Sequence, residues 1–320
     1  MKILFIADIH IKIRQKNIPT DWAINRFKMF LEQTAIMQEK ADMLILGGDI
    51  FDTLPNTLEI SLYVDLIKSI KIPTYVYSGN HEAITKTATF LSHLKDLTYH
   101  LNDKVTLVDD FHYIEDIDLF IIPYNKLKED YPRKKGKICC THVRGEIPPH
   151  VKPEIDLDLL SGWELVLAGD LHNRNNSQRN IQYPGSPYTT SFHKEEVETG
   201  AILLDTDTLE IEWLKYNLPQ LIEKSLEIGE EKYVDGFHHY KYTIVGDMDQ
   251  LSSVEADELV TKKHINKIND VQLILDSHLS IDQEAAEFME HILMLNPEAI
   301  SKALSKLRDE CSQELLNDNS

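Results

Sequence analysis

Short apolar runs recur through the first two thirds of the chain, and they constrain the fold more than any other feature. Each run has about the length of a β-strand and lacks polar–apolar alternation, so each is typical of a strand buried on both faces. The runs span residues 3–7, 43–46, 74–77, 119–122, 137–140 and 165–168. Helical patterns at about 21–40 and 57–70 separate the first three runs. Strands that alternate with helices predict an α/β sandwich.

The sequence pattern changes near residue 200. The elements expected there are a hairpin of strands 201–204 and 209–213, an acidic linker at 219–231, strands at 240–245 and 271–275, and a helix at 249–262. The last stretch is expected to be helical, with a break at Asn296-Pro297. A small α+β unit and a C-terminal helical segment should therefore follow the sandwich.

The cysteine content excludes a disulfide framework. The chain of 320 residues has three cysteines, of which Cys139 and Cys140 are adjacent and Cys311 is far away, and no pair has zinc-ligand spacing. Such a sparse, odd set is typical of a reducing cytosol. The N-terminal apolar stretch is too short for a signal peptide, and no run approaches the length of a membrane span. We expect a soluble cytoplasmic protein without membrane contact.

The net charge of −20 bears on the choice of substrate. It counts against a protein that binds nucleic acid through its own surface, because phosphate contacts need Lys and Arg. Bound metal ions, a local basic strip or a partner subunit could supply those contacts instead. The net charge therefore bears on which substrate the protein binds, and it does not exclude any catalytic chemistry.

The residues that carry chemistry lie where the predicted strands end. Open α/β sheets place ligand sites at the carboxyl ends of their strands. The side chains at five such ends are Asp8 and His10, Asp49, Asn80 with His81 and Glu82, His142, and Asp170 with His172. Any one of them alone is more often a helix cap, a turn residue or an ordinary histidine. No such role explains all five ends together, and oxygen and nitrogen donors in this pattern predict a metal centre.

In this order the motifs resemble the calcineurin-like metallophosphoesterase superfamily. The resemblance is carried by Asp8-x-His10, Gly47-Gly48-Asp49, Gly79-Asn80-His81-Glu82, Thr141-His142 and Gly169-x-x-His172. It covers about residues 1–215 and implies the superfamily's α/β sandwich. Gly48-Asp49-Ile50-Phe51-Asp52, residues 183–187 (Tyr-Pro-Gly-Ser-Pro) and Ser191-Phe192 also resemble SbcD-type nucleases of double-strand-break repair. The chain is short for a cellular member and is more similar to a bacteriophage version, which would act in the host cytoplasm.

The resemblance implies a ligand set for two ions. The first ion would be held by Asp8, His10, Asp49 and His172. The second ion would be held by Asp49, Asn80, His142 and Asp170. Asp49 would therefore bridge the two ions, which would be manganese, with magnesium as the alternative. Such a pair polarises a phosphoryl group and activates a water molecule for attack.

Three further residues near the motifs receive roles from the same resemblance. His81 would face the scissile phosphate and protonate the leaving oxygen or stabilise its charge, without binding metal. Glu82 would either orient His81 or act as a carboxylate at a helix N-terminus. Asp52 would either support the ligands or belong to a turn.

Asp170 is the one departure from the superfamily pattern, which usually has histidine at this position. Aspartate is a harder ligand than imidazole, so it would suit manganese or magnesium. It would otherwise turn away from the second ion and leave that site incomplete. We favour ligation.

The SbcD-type resemblance also implies domains, partners and a process. Residues 1–215 would form the nuclease domain, 216–280 a capping DNA-binding domain, and 281–320 a helix–loop–helix that binds an SbcC-like coiled-coil ATPase. The chain would act as a homodimer within a heterotetramer and cleave DNA as an exonuclease and endonuclease in repair, recombination and replication.

Two other functions remain open from the sequence. A phosphomonoesterase or cyclic-nucleotide phosphodiesterase could use the same metal centre. A non-catalytic scaffold for the ATPase is the second alternative, and Asp170 is its one supporting feature.

Overall fold

The computed structural model describes residues 1–85, 88–129, 136–246, 251, 260–265, 285–286, 289, 295–297 and 299–306; of 260–265 it describes the backbone alone. Contacts divide the chain into two compact units. The first comprises Met1–Val245 and Ser253–Lys263, and the second comprises Gly246–Ser252 and His264–Ser320.

Fourteen strands and three α-helices have defined bounds within the described residues, besides helical residues near the C-terminus. The strands are β1 (Lys2–Ile6), β2 (Met43–Gly47), β3 (Thr74–Tyr77), β4 (Val105–Val108), β5 (His112–Ile114), β6 (Leu119–Ile122), β7 (Gly136–His142), β8 (Trp163–Gly169), β9 (Ile181–Gln182), β10 (Gly200–Asp205), β11 (Ile211–Lys215), β12 (Leu221–Glu227), β13 (His239–Gly246) and β14 (Val260–Ile265). The helices are α1 (Thr20–Gln38), α2 (Thr57–Ser69) and α3 (Lys95–Leu101).

Two sheets form the sandwich in the first unit. One has the order β11-β10-β1-β2-β3-β4, and the other has the order β5-β6-β7-β8-β9. Strands β1 to β4 run parallel to one another, as do β6 to β9, while β10, β11 and β5 pair antiparallel. The carboxyl ends of the parallel strands therefore share one edge in each sheet.

A dry core joins the two sheets. Phe5 of β1 and Tyr77 of β3 pack in one buried cluster with Cys140 of β7 and Leu167 of β8. The Tyr77 hydroxyl donates a hydrogen bond of 2.9 Å to the Thr141 carbonyl, so this buried polar group has a partner. Burial of these strands on both faces explains why their sequences are apolar without alternation.

Helices α1 and α2 cover the outer face of the first sheet through a second apolar cluster. Asn56 caps α2 by accepting hydrogen bonds from the backbone amides of Leu58 and Glu59. The Glu59 side chain accepts from the Asn56 amide in return, which completes a capping box, and its other oxygen accepts from the Ile13 amide at 3.0 Å. One carboxylate thus starts the helix and attaches the segment that follows β1.

The predicted α/β sandwich is confirmed. Each of the six apolar runs lies in a strand, within one or two residues at the ends, and the hairpin near residue 200 is β10 and β11. The predicted acidic linker at 219–231 is wrong, because β12 occupies Leu221–Glu227 and pairs in parallel with β13. Its charged residues lie on the partly exposed positions of a strand.

Beyond residue 216 the described residues contain a three-stranded sheet with the order β12-β13-β14. The predicted strand at 240–245 is confirmed as β13, but the predicted helix at 249–262 is wrong at its end, where β14 begins at Val260. The predicted strand at 271–275 lies outside the described residues. Residues 299–306 are helical, which confirms the C-terminal helical segment. The boundaries at 215 and 280 stay predictions.

The described residues contain no helix that is long and apolar enough to cross a membrane.

Candidate metal centre

The carboxyl ends of β1, β2, β3, β7 and β8 bring the predicted donors together. Three overlapping groups have donor atoms within 4.8 Å of one another, and they are Asp8 with His10 and His172, His10 with Asp49 and His81, and Asp8 with Asp49 and His142. The backbones of Asp8, His10, Asp49 and Asp170 have φ values of 58°, 46°, 50° and 99°. Non-glycine residues seldom adopt this left-handed region, and such strain clusters at functional sites.

Asp49 lies at the middle of the donors. Its Oδ2 atom is 3.3 Å from His142 Nε2, 3.5 Å from His10 Nε2 and 3.9 Å from His81 Nε2. Its Oδ1 atom accepts a hydrogen bond of 3.0 Å from the His81 backbone amide. One carboxylate oxygen therefore faces imidazoles that come from three different strand ends, which is the position that a bridging ligand requires.

His142 is fixed in one orientation by the neighbouring sheet. Its Nδ1 atom lies 2.9 Å from the Gly47 carbonyl, and because a carbonyl oxygen only accepts, Nδ1 carries the proton and donates. Its Nε2 atom then faces Asn80 Oδ1 at 2.9 Å and Asp170 Oδ1 at 4.0 Å, besides Asp49. This backbone anchor is the arrangement that orients metal-ligating histidines in proteins.

His172 is oriented by a hydroxyl that the sequence did not single out. Its Nδ1 atom lies 3.1 Å from Thr190 Oγ1, and its Nε2 atom lies 3.1 Å from His10 Nε2. Two imidazole nitrogens at this distance need either a shared proton or a cation between them. Arg26 is buried and donates a hydrogen bond of 3.0 Å to the Thr189 carbonyl, so it holds the backbone next to Thr190.

His81 differs from the other donors in its exposure. Its side chain is 37% exposed, whereas those of His10 and Asp49 are each 2% exposed. Its Nδ1 atom donates to the Asp52 carbonyl at 2.5 Å, which leaves Nε2 for another partner. An imidazole that is fixed at one nitrogen and open to solvent suits a contact with substrate.

Asp52 supports the same side of the centre. Its Oδ1 atom lies 3.6 Å from His10 Nδ1, and its Oδ2 atom pairs with Lys12 Nζ at 2.7 Å. The His10 ring and the Lys12 ammonium hold the pKa of Asp52 well below its usual range. Asp52 thus contacts two of the histidines. Its charged side chain faces His10, and its backbone carbonyl accepts a hydrogen bond from His81.

Glu82 has a role that the sequence did not predict. Its carboxylate accepts from three backbone amides, those of Gly79 at 2.7 Å, Asp49 at 3.1 Å and Phe51 at 2.9 Å. It is fully buried, and the hydrogen bonds found for it among the described residues are to backbone amides; its orientation of His81 stays a prediction. It fastens the segment after β3 to the segment after β2.

Asp170 is held at the edge of the cluster. Its backbone amide donates to Asp8 Oδ1 at 2.9 Å, and its carboxylate faces His142 Nε2. Burial raises the pKa of Asp170 to about 6, although His142 and Arg144 act in the opposite direction. The side chain therefore points towards the donors of the predicted second ion.

The donors fit a divalent cation. Burial raises the pKa of Asp8 to about 6, because its charge is costly in a dry site. Burial alone would lower the pKa of His142, but the Asp49 and Asp8 carboxylates raise it well above its usual value. Asp8 Oδ2 is buried without a hydrogen-bond partner. Crowded carboxylates and an orphaned oxygen of this kind require a positive charge, which bound metal ions supply.

Glycine is required where the strand ends approach one another. A Cβ atom on Gly79 would lie 2.1 Å from Asp49 Oδ1, and one on Gly169 would lie 2.6 Å from both the Gly47 carbonyl and His142 Nδ1. Real Cβ atoms do not come this close to other atoms. The glycines in the motifs therefore leave space for the ligands.

Two residues near the centre, Thr190 and Arg144, were not predicted from the sequence. Thr190 follows the recognised Tyr-Pro-Gly-Ser-Pro segment, but a threonine in a loop gives no signal of its contact with His172. Arg144 comes two residues after His142, and among the described residues no hydrogen bond or ion pair of its guanidinium is found. A lone exposed arginine likewise gives no signal in a sequence.

The fold and the donors define a class of protein. The Calcineurin-like phosphoesterase family model matches residues 1–274, and the chain belongs to that family. The resemblance inferred from the strand-end motifs is thereby confirmed, and with it the expectation of a site for divalent metal ions.

Two proteins with similar sequences come from viruses. The chain is 39% identical over 275 residues to "Probable exonuclease subunit 1" of Escherichia phage T5, which covers 82% of this chain and 84% of the relative. It is 25% identical over 256 residues to "Putative phosphoesterase 244L" of Invertebrate iridescent virus 6, covering 73% of this chain and 85% of the relative. Among solved structures, TT1561 of Thermus thermophilus is similar with a TM-score of 0.43 and 14% identity over 67% of this chain and 98% of that one.

Proposed function

We propose that the protein is a metal-dependent DNA nuclease that hydrolyses phosphodiesters with two divalent ions. The observation that carries the proposal is the cluster of donors at the strand ends, in which Asp49 Oδ2 faces imidazoles from three of those ends. The name of the phage T5 relative, "Probable exonuclease subunit 1", supports a nucleic acid as the substrate, and we propose DNA. The expected activity is that of an exonuclease with additional endonuclease activity.

The residues present fit two ions that share Asp49. Asp8, His10, Asp49 and His172 would hold one ion, and Asp49, Asn80, His142 and Asp170 would hold the other. The support is that Asp49 Oδ2 lies between the His10 and His142 imidazoles, while Asn80 and Asp170 face His142. Bound ions of this kind supply Lewis acidity that polarises the phosphoryl oxygens and lowers the pKa of water. Manganese suits this mixed set of imidazole and carboxylate ligands, and magnesium is the alternative.

His81 would move the proton that the leaving oxygen needs. The Asp52 carbonyl holds its Nδ1–H, so Nε2 is the atom that faces the substrate. In the imidazolium form, Nε2–H would donate to the sugar oxygen as its bond to phosphorus breaks. The exposure of His81 beside buried ligands supports this role.

Arg144 would bind a phosphate of the substrate next to the centre. It follows His142 at the end of β7, it is exposed, and its charge acts on the Asp170 carboxyl. Its backbone is anchored, because its carbonyl accepts from the Glu154 amide at 3.1 Å and the neighbouring Val143 carbonyl accepts from the Tyr183 hydroxyl at 3.0 Å. In a chain with a net charge of −20, an exposed cation on an anchored backbone, with no ion pair among the described residues, favours a polyanionic substrate.

The protein would work as one subunit of an SbcC–SbcD-like complex that processes DNA ends in repair, recombination and replication. The name of the phage T5 relative, which describes a numbered subunit, supports a complex of several chains. A coiled-coil ATPase would bind the C-terminal helical segment, and two copies of this chain would form the nuclease pair of a heterotetramer. An ATPase partner would also supply Lys and Arg for phosphate contacts, since this chain has a net charge of −20.

DNA cleavage tests the proposal. Labelled single-stranded DNA and linear duplex DNA are incubated with the purified chain and manganese, and a His81→Ala variant is run beside it. We expect cleavage that requires manganese and is at least about 100-fold slower in the variant. Cleavage that the variant retains at the full rate would expose a contaminating nuclease. Untouched DNA together with rapid hydrolysis of a phosphomonoester would replace the proposal with a phosphatase.

A further inference from the structure

Two consecutive threonines, Thr189 and Thr190, lie beside His172, one of the clustered donors. Thr190 Oγ1 is 3.1 Å from His172 Nδ1, while His172 Nε2 faces His10 Nε2. An imidazole that holds a metal ion through Nε2 carries its proton on Nδ1, and a hydroxyl oxygen at this distance accepts that proton in a hydrogen bond. The position of Thr190 therefore determines where His172 Nε2 points.

Three elements that are far apart in the sequence hold the two threonines in place. Arg26 of α1 donates a hydrogen bond of 3.0 Å to the Thr189 carbonyl. Gln15, in the segment between β1 and α1, donates one of 3.4 Å to the Thr190 carbonyl. The Leu221 amide at the start of β12 donates one of 2.9 Å to Thr189 Oγ1. A helix, a loop and a strand of a different sheet thus anchor the residue that orients His172.

Arg26 is a buried cation for which the described part of the chain offers no carboxylate partner. Its guanidinium carbon lies 4.7 Å from the centre of the Trp22 ring and 4.5 Å from that of the Tyr188 ring. Burial lowers the pKa of Arg26 to about 10, which leaves it charged at neutral pH. A buried charge is costly, and two ring faces and the Thr189 carbonyl compensate it here. A cost of this kind is explained if the guanidinium has to hold Thr189 in one place.

We propose that Arg26 and Thr190 are positioning residues for the first ion, the one that has His172 among its ligands. This role rests on the proposed function, and it assigns the affinity of one metal site to residues outside the ligand set. The second ion does not depend on them in the same way, because His142 is oriented by the Gly47 carbonyl at another strand end. A change at Thr190 or Arg26 should therefore act on one ion of the two.

Calorimetric titration of the full metal-free chain with manganese tests the inference. Thr190→Val removes the hydroxyl with little change in shape, and Arg26→Met removes the donor and its charge. We expect each variant to bind one ion about 10- to 100-fold more weakly, as when groups that orient ligands are removed, and to keep the wild-type Kd for the other. Thr190→Ser retains the hydroxyl and should bind both ions like the wild type.

A matched control separates positioning from a loss of stability. Thr34 also lies on α1, is 1% exposed, and has its Oγ1 atom 2.8 Å from the Tyr216 hydroxyl. Thr34→Val therefore removes a buried hydroxyl contact from the helix that carries Arg26 and leaves Thr190 unchanged. We expect a lower temperature of thermal unfolding and unchanged Kd values for both ions. Thermal unfolding also identifies any variant that fails to fold, and Thr190→Val, at a half-buried site, keeps the test intact if Arg26→Met does not fold.

Three results would overturn the inference. They are wild-type Kd values for both ions in Thr190→Val, an equal weakening of both ions in that variant, and the same loss of one ion in Thr34→Val. The titration contains no DNA and needs no turnover, so its result is independent of DNA cleavage. A chain whose variants lose one ion selectively, but whose wild type leaves DNA intact, would contradict the proposed function and leave the positioning role standing.

Discussion

At the scale of single residues, the centre is built by backbone groups that fix side chains. The Gly47 and Asp52 carbonyls set the tautomers of His142 and His81. The Glu82 carboxylate accepts hydrogen bonds from three backbone amides in the segments that follow β2 and β3. His142 and His81 are thus each left with Nε2 facing the cluster. Positions fixed in this way need little rearrangement when substrate binds.

Removal of the His81 imidazole should affect turnover and leave metal binding intact. We expect His81→Ala to lower kcat for DNA cleavage by roughly 10²- to 10⁴-fold, because a positioned general acid contributes about that much. Manganese bound per chain should be unchanged. His93→Ala, which alters an exposed histidine after β3, is the control and should retain full activity. A parallel loss of manganese in His81→Ala would mean that His81 is a ligand.

Glu82 should matter for stability more than any exposed carboxylate. Glu82→Ala leaves three buried amides without an acceptor, so we expect a loss of about 3–5 kcal/mol in the free energy of unfolding. Urea denaturation followed by circular dichroism measures it. Glu115→Ala, at an exposed site, should change stability by no more than about 0.5 kcal/mol. A loss below about 1 kcal/mol for Glu82→Ala would show that the amides find other partners.

At the scale of elements, the parallel strands determine where the donors meet. Their carboxyl ends share an edge in each sheet, and the core between the sheets sets the distance across which the edges face each other. His142 reaches from β7 to the Gly47 carbonyl at the end of β2, so one hydrogen bond joins the two sheets at the site. Metal ligation and sheet packing are therefore coupled.

A methyl group at one strand end should disturb the ligands directly. In Gly79→Ala the new Cβ atom meets Asp49 Oδ1 at 2.1 Å, so Asp49 must move. We expect manganese affinity to fall by about 10- to 100-fold, as when groups that orient ligands are removed. Gly136→Ala is the control, because Gly136 lies at the opposite end of β7 from the site. A Cβ atom added there would have its nearest neighbours at 3.3 Å, on the Trp163 side chain. Equal affinities in the two variants, measured by calorimetry, would contradict this account of the strand ends.

The sequence was sufficient for strands whose burial is complete. Apolar runs such as the one in β2 have a single interpretation, because few other structures bury five consecutive apolar residues. It was insufficient for β4, β5, α3 and β12. Strand β5 has three residues and α3 has seven, which is too short for a clear period. The charges of β12 suggest a linker, and only its long-range pairing with β13 makes it a strand.

The donors of the candidate site could be predicted because they follow fully buried strands, whereas the contacts made by loops could not. The strand-end rule located the donors Asp8, Asp49 and His142 without knowledge of any contact, because a parallel sheet brings its carboxyl ends together. The contacts of Thr190 with His172 and of Glu82 with three amides depend on how loops approach across the sandwich. Such approaches have no period or spacing in the sequence.

At the scale of the whole molecule, the net charge of −20 limits how tightly the proposed nuclease would bind DNA by itself. We expect weak binding with a shallow dependence on salt, because few phosphates are neutralised by Lys or Arg. Arg144→Gln should lower the magnitude of the slope of log K against log salt for duplex DNA by about 0.9, the value for one phosphate contact. Lys40→Gln, before the start of β2 at the other edge of the sheet, should leave the slope unchanged. Fluorescence anisotropy measures the DNA affinity of the wild type and of each variant over a range of salt concentrations. If the slope for Arg144→Gln equals that of the wild type, Arg144 does not contact DNA.

The central claim is that the strand ends hold two divalent ions that share Asp49, and metal stoichiometry tests it most directly. Equilibrium dialysis against manganese, with the bound metal measured by mass spectrometry, is carried out on the wild-type chain and on Asp49→Asn. We predict two ions per wild-type chain and a loss of both in the variant at the same free concentration, because the shared carboxylate belongs to both sites. A single ion in the wild type, or two ions retained in Asp49→Asn, would contradict the account.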